Sequence, residues 1–483
     1  MSTLTETPDP AGWPDPVPER RARRLGRRRQ HYIPRVHLPP AWPVAALLVG
    51  YPIWWALGLG IFSFTIIAIP MAWGLVRRWP IRLPAGFGLW LLFLLWCVFS
   101  LSMITVDPPG TYGQFGMGRM ISSGLRLVQY LSITILLLYI GNLTEKELPR
   151  LRLVRMLGIF FLTTVAGGLL GTYVPDFEFK APLEYVLPAA LANDSYVLNL
   201  VHPTAAQIEW FLGFRSPRPE APFEWANAWG NNLSILLIWF VIGWWTYGGP
   251  GRRLSMGVFL SLAAIPVVYS LNRGLWAALG FAVLFGAIRM AMRGRVWALA
   301  GMSAILLVGT VFFISSPLKQ IVDDRLANPH SDSGRAWNRN KTMEVAWGSP
   351  VLGYGGTRWA IGSQNSSVTG KTGGCPECGH PPLGADGQLW LVIISQGYVG
   401  AFFYLAFFLN ALWRYRRDNT PIGSAGLLVL CLALFTMLIY DHLVTPLALY
   451  FVTLGLLWRN DQARRAARFG AALPPAPQHK AVS

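Results

Sequence analysis

Apolar blocks alternate with short basic connections along most of this chain. The blocks fall at 42–58, 60–76, 84–105, 121–141, 156–174, 229–247, 255–271, 274–290, 297–315, 387–412, 423–440 and 444–458. Most have the roughly 17–25 residues that a helix needs to cross bilayer hydrocarbon. The first two are short, and their boundary at Leu59–Gly60 is left open. The pattern predicts an all-α integral membrane protein of about twelve transmembrane helices. It is interrupted over 175–228 and 316–386, where polar chain replaces the short connections. The second and larger loop lies between the ninth and tenth predicted spans.

Composition agrees with the periodicity. The 483 residues are 53% hydrophobic and only 13% charged, where a soluble chain would carry about twice that charged fraction. The net charge of +18 would point to nucleic acid in a soluble protein. Here the basic residues sit beside the apolar blocks, at Arg77–Arg78, Lys146 to Arg155, Arg252–Arg253, Arg293–Arg295, Arg414–Arg417 and Arg464–Arg468. Alternation puts all of these on one side, together with the arginines between 20 and 29, which predicts a cytoplasmic face with both termini on it. No nucleic-acid partner is expected. Residues 1–41 read as a disordered basic tail touching anionic headgroups, 42–458 as the membrane domain, and 459–483 as a second basic cytoplasmic tail. The charged stretch is too long, and lacks the small-residue site, for a cleaved signal peptide.

Most acidic residues fall on the opposite side, among them Asp176, Glu184, Glu209, Glu220, Glu224, Asp332, Glu344 and Asp386. Both long loops are therefore expected to face outward, away from cytoplasmic nucleotides. No phosphate-binding or dinucleotide glycine pattern is present. The larger loop carries Ser333-Gly-Arg-Ala-Trp337, then Pro350-Val-Leu-Gly353-Tyr-Gly355, then Gly384-Ala-Asp386-Gly, where an apolar helix begins and runs on through Gly397 and Gly400. So long a polar segment in a membrane protein usually carries function.

Several residues on this predicted outer face have candidate chemistry. Arg273 stands at a very short turn between two spans, and Arg335 follows a glycine that permits close approach of a ligand. Both are either headgroup contacts or fork-shaped donors to phosphate. Arg339, in a stretch running from Trp337 to Trp347 that reads as an interfacial helix, has the same two readings. Arg215, Arg218, Glu224 and Asn227 precede or enter the span at 229–247, where amides either cap the helix or meet sugar hydroxyls. Arg126, inside the fourth span, suits a phosphate or a carboxylate partner such as Glu224. Asp386 is either an N-cap or a general base, and Asp441-His442 is a second acid/base pair held in reserve. Cys375, Cys378 and His380 offer three ligands where a structural zinc takes about four. A disulfide is favoured there on an oxidising face, and no metal or cofactor is expected.

The order and spacing of these segments resemble the O-antigen ligase and O-antigen polymerase superfamily of bacterial envelope glycosyltransferases. The likeness spans roughly 120–458 and rests on Arg273 after a span, Gly334-Arg335 opening the large loop, Pro350 to Gly355, and the spaced glycines of the following helix. It implies an enzyme of the bacterial inner membrane. The donor would be a glycan on polyprenyl diphosphate, with Arg273 and Arg335 on the diphosphate and a glycan, lipid or protein hydroxyl as acceptor. The family commonly has a histidine, an amide or hydroxyl residue, nine residues and a glycine. Here Asp386, Gly387, the run Gln388–Gln396 and Gly397 fit that spacing with aspartate in the histidine's place, so the base is either Asp386 or His380. The alternatives are a transporter or flippase for an envelope component and a non-enzymatic scaffold.

Overall fold

The apolar blocks fold as helices. The computed structural model describes residues 38–471 apart from 112, 114–116, 189–194, 210–214, 315–318, 320–321, 324–329 and 361–381. In chain order the helices are α1 (Trp42–Leu48), α2 (Tyr51–Ala56), α3 (Ser63–Val76), α4 (Phe87–Ser100), α5 (Met117–Asn142), α6 (Arg150–Tyr173), α7 (Ser195–Val201), α8 (Ala226–Val241), α9 (Pro250–Tyr269), α10 (Arg273–Ala291), α11 (Val296–Ile314), α12 (His330–Ala346), α13 (Gln388–Tyr415), α14 (Pro421–Thr436) and α15 (Thr445–Ala471). One antiparallel hairpin, β1 (Ala206–Glu209) with β2 (Ser216–Pro219), lies in the 175–228 loop, and it is the one sheet among the described residues.

Six described helices are long and apolar enough to cross a membrane: Gly118–Asn142, Arg150–Tyr173, Ala226–Thr246, Pro250–Tyr269, Arg273–Ala291 and Gln388–Tyr415. Three more apolar helices are shorter, at Ser63–Val76, Phe87–Met103 and Pro421–Thr436. The 42–58 block is not one span, because Gly50 and a proline in the first turn after it divide it into α1 and α2. Proline suits a helix start but not its interior. The basic segment from 459 is not wholly a tail either, since α15 continues through it to Ala471. Arg459 Nη2 donates to the Leu148 carbonyl at 2.5 Å and pairs with Glu145 at 3.1 Å, and Asn460 donates to Asp418 at 2.8 Å. The middle of α15 is thereby fastened to the basic connections at 142–150 and 416–420.

Aromatic packing fills the centre. Trp90 of α4 lies fully buried, 4.9 Å from Phe93, 5.2 Å from Phe407 of α13 and 4.7 Å from Phe451 of α15 between ring centroids. Large apolar side chains remain on the outside of α9 and α10, including Leu254, Val258, Leu284 and Ile288. Surface of that kind suits contact with hydrocarbon.

Helix α13 does not run smoothly through Gly397. The backbone there turns to φ 69° and ψ −177°, and the helix kinks. The 350–355 segment inserts into the break: Tyr354 N–H donates to Ile394 O at 2.9 Å, Gly355 N–H to Ser395 O at 2.8 Å, and Tyr398 N–H to Pro350 O at 2.8 Å. A break in an apolar helix survives only where its freed backbone groups find such partners. The glycine at 353 is required by this approach, because a Cβ on it would stand 2.5 Å from Gly397 N. The glycine-spaced motif of the large loop is thus half of a helix-break joint.

Candidate functional site

Sequence-distant polar groups converge on the turn between α14 and α15. Tyr440, in that turn, donates a short hydrogen bond from its hydroxyl to Asn272 Oδ1. Asn272 is the N-cap of α10, where the same oxygen accepts from Leu275 N–H at 3.2 Å. The next residue is Arg273, so the hydrogen bond fixes the start of Arg273's helix against Tyr440. Arg218 of β2, 8% exposed, donates from Nε to Ser270 O at 2.9 Å and from Nη2 to Asn227 Oδ1 at 3.0 Å. Burial lowers its pKa, and the charge of Arg335 lowers it further. Arg335 of α12 is half-buried, and its charge also bears on the Tyr440 hydroxyl together with that of Arg218. Asn272 thus meets this hydroxyl directly, while the charges of Arg218, itself bonded to Asn227, and of Arg335 reach it from two other segments.

Two carboxylates, Asp386 and Asp441, lie in or beside the same turn. Asp386 does not cap α13: the N-cap is Gly387, with no side-chain capping bond. Cap chemistry is unnecessary because Gln388 N–H donates to Tyr440 O at 2.8 Å and Leu389 N–H to Met437 O at 3.0 Å. Asp386 instead accepts from Asn338 Nδ2 at 2.7 Å, one helical turn from Arg335 on α12. Gln388 bridges two elements, accepting from His442 N–H at 3.1 Å and donating to the Tyr130 hydroxyl at 3.0 Å. Tyr130 and Arg126 are four residues apart on α5 and share a face.

That bridge brings Asp441 to Arg126, whose charge acts on its carboxyl. The expected partnership of Arg126 with Glu224 does not form, because Glu224 is turned to Tyr51, whose hydroxyl donates to it at 3.5 Å. Asp441 is walled by protein yet still reached by solvent, and burial raises its pKa against the opposing pull of the Leu443 N–H and Arg126. Arg126 Nη1 is buried without a hydrogen-bond partner. His442 is no acid/base partner for Asp441. It is fully buried with Nε2 3.0 Å from Thr436 Oγ1, and burial holds its pKa down at about 3.

Other expected site residues go elsewhere. Arg215 is exposed and paired with Asp176. Arg339 is exposed, with its guanidinium 6.0 Å over the Trp390 ring in a cation–π contact. Trp337 and Met343 of α12 pack onto the core, so only Trp347, 69% exposed, stays as an outward anchor of that helix. Cys375, Cys378 and His380 lie outside the described residues. The described cysteines, Cys97 and Cys431, are free thiols.

Sequence reasoning missed Tyr440, Gln388 and Arg358. Only adjacency to Asp441-His442 marked Tyr440. Arg358 is fully buried and donates to the carbonyls of Ile104 at 3.1 Å, Val106 at 2.9 Å and Tyr354 at 2.9 Å, with Asp107 at 3.7 Å. It clamps the chain after α4 to the joint segment, which is a structural task. Near β2, Glu220 accepts from the Thr204 hydroxyl, and burial raises its carboxyl to about 8. Burial likewise raises Glu224 to about 7.

A groove remote from these groups lies between α10, α13 and α14 beside Arg289. Arg289 lies 16 residues, or about 24 Å of helix, from Arg273. Among the described residues no cluster of His, Cys, Asp and Glu has the form of a metal site. Comparison with protein-family models, curated proteins and solved structures finds no match for this chain.

Proposed function

We propose that this protein is an extracytoplasmic glycosyltransferase. In this reading the cationic side of the Tyr440 turn holds the diphosphate of a polyprenyl-linked glycan, and the carboxylate side receives an acceptor hydroxyl. The acceptor oxygen attacks the anomeric carbon and the carbon–oxygen bond to the diphosphate breaks. Polyprenyl diphosphate leaves with its charge spread over Arg273, Arg335 and Arg218. The hydroxyl proton passes to Asp386 or Asp441, and a single displacement inverts the anomeric centre. About twelve spans with both termini in the cytoplasm, in a bacterial inner membrane, belong to the same reading.

The observation that carries it is the convergence on Tyr440: Arg218 and Arg335 act on its hydroxyl, and Asn272 fixes it beside Arg273. Guanidinium groups from separate segments around one solvent-reached turn suit a multiply charged anion. The test is to extract lipid-linked glycans from a strain lacking this chain. Single repeat units accumulate if a polymerase is lost, and long chains on the carrier if a ligase is lost. An unchanged pool overturns the proposal.

A second reading has its own support. Helix breaks at membrane depth mark transporter sites, and α13 breaks at Gly397. A buried polar row lies nearby, with Thr436 Oγ1 2.9 Å from the Tyr450 hydroxyl and Tyr450 donating to Asn231 at 3.1 Å. Glycan flipping or solute uptake by vesicles that depended on this chain would favour a transporter or flippase.

A further inference from the structure

The groove between α10, α13 and α14 has features that neither reading uses. Phe285, Leu409, Leu412 and Leu427 form its walls, and Arg289 and Arg416 stand at its end. Among the described residues these arginines have no counter-ion. Arg289 Nε is buried without a hydrogen-bond partner, and its Nη2 reaches only the Asp418 carbonyl at 3.4 Å. Arg416 stacks 3.5 Å over the Trp413 ring, and Arg293, four residues from Arg289, donates to Ser424 at 2.9 Å and to Asn419 at 3.2 Å, both neutral. The nearest carboxylate, Asp418, is turned to Arg464 at 2.9 Å. Among the described residues, none of Arg289, Arg293 and Arg416 forms an ion pair.

We infer that this groove is a binding site for an anionic phospholipid, with an acyl chain between the leucines and the phosphate between Arg289 and Arg416. A zwitterionic lipid would bring a cation of its own beside the arginines along with its phosphate and leave their net charge in place, and a free phosphate would leave the apolar walls unused. Basic pockets between spanning helices bind anionic headgroups in this way. The site is independent of the chemistry at Tyr440, at the far end of α10.

The test is native mass spectrometry of the full chain released from nanodiscs of phosphatidylcholine with a minor fraction of phosphatidylglycerol. The wild type should retain phosphatidylglycerol in preference to phosphatidylcholine. Arg289→Gln and Arg416→Gln should each lower that retention about fivefold, the worth of one basic residue near an anionic surface. Leu409 is 53% exposed, so Leu409→Trp fills the slot without disturbing the core and should lower retention with both charges intact. Arg252→Gln with Arg253→Gln, in another basic connection, should leave it unchanged. Equal retention of the two lipids by the wild type would overturn the proposal. So would a loss in the Arg252/Arg253 variant as large as in the groove variants.

Discussion

Asn272 and Tyr440 share a hydrogen bond across 168 residues of sequence. The bond joins the start of the helix that carries Arg273 to the turn on which Arg218 and Arg335 act. Asn272 also caps its own helix, so one amide sets both local geometry and the long-range contact.

Arg335→Ala should reduce glycan transfer by about 10²–10³, the range for removing one donor to a developing oxyanion. Arg335→Lys should recover little of it, because an ammonium lacks the fork of a guanidinium. The residue is half-buried on α12, so the protein should still fold. Transfer in isolated membranes, alongside thermal unfolding of the same variant, checks both points.

The two carboxylates should separate by variant and by pH. A base must be ionised to act, and burial raises the pKa of Asp441 above the ordinary aspartate value. If Asp441 takes the proton, transfer climbs with pH through that raised pKa, and Asp441→Asn removes the climb. Asp386→Asn should retain the pH profile, because its carboxylate is already engaged by Asn338. The reverse result assigns the base to Asp386.

Gly397→Ala should unfold at a clearly lower temperature than the wild type. The added Cβ would lie 2.6 Å from the carbonyl oxygens of Pro350 and Val351, at a φ of +69°. Strain of this type costs about 1–3 kcal/mol before any overlap is counted. Gly280→Ala is the control, since a Cβ there meets nothing within 4 Å and alanine suits a helix interior.

Stability should fall as pH rises from about 4.5 to about 8, because burial lifts the Glu220 carboxyl from 4.5 to about 8. Over that window the folded protein keeps a proton that the unfolded chain has released, which favours unfolding as pH rises. Thermal unfolding across the window should show the slope, and Glu220→Gln should flatten it. Glu224, lifted to about 7, adds a slope of the same sign and leaves a residue in that variant.

Arg358→Ala should be among the most destabilising single changes. It strips partners from several buried carbonyls and leaves a cavity beside the joint. Leaving even one buried acceptor unsatisfied costs about 1–3 kcal/mol. Arg358→Lys should not rescue folding, since three donors on a flexible stem cannot reach the same carbonyls. Yield and unfolding temperature in detergent give the measure.

Hydropathy alone determined the helical class and the approximate position of nearly every helix, because an apolar block in a mostly uncharged chain has few other ways to satisfy its backbone. It also located the charged residues of the two long loops. Pairing was beyond its reach. A single sequence carries no record of which distant segments touch, so it offered Glu224 as a candidate partner for Arg126 where the fold brings that charge to bear on Asp441, and it left Asp386 between cap and base where backbone carbonyls of the 437–440 turn make a cap unnecessary. The same blindness hid the break at Gly397, since periodicity registers that glycine as one more apolar-tolerant position while its positive φ arises only where the 350–355 chain docks. Residue types fixed what chemistry this protein has at hand, and close packing between segments hundreds of residues apart decided which of those groups face one another.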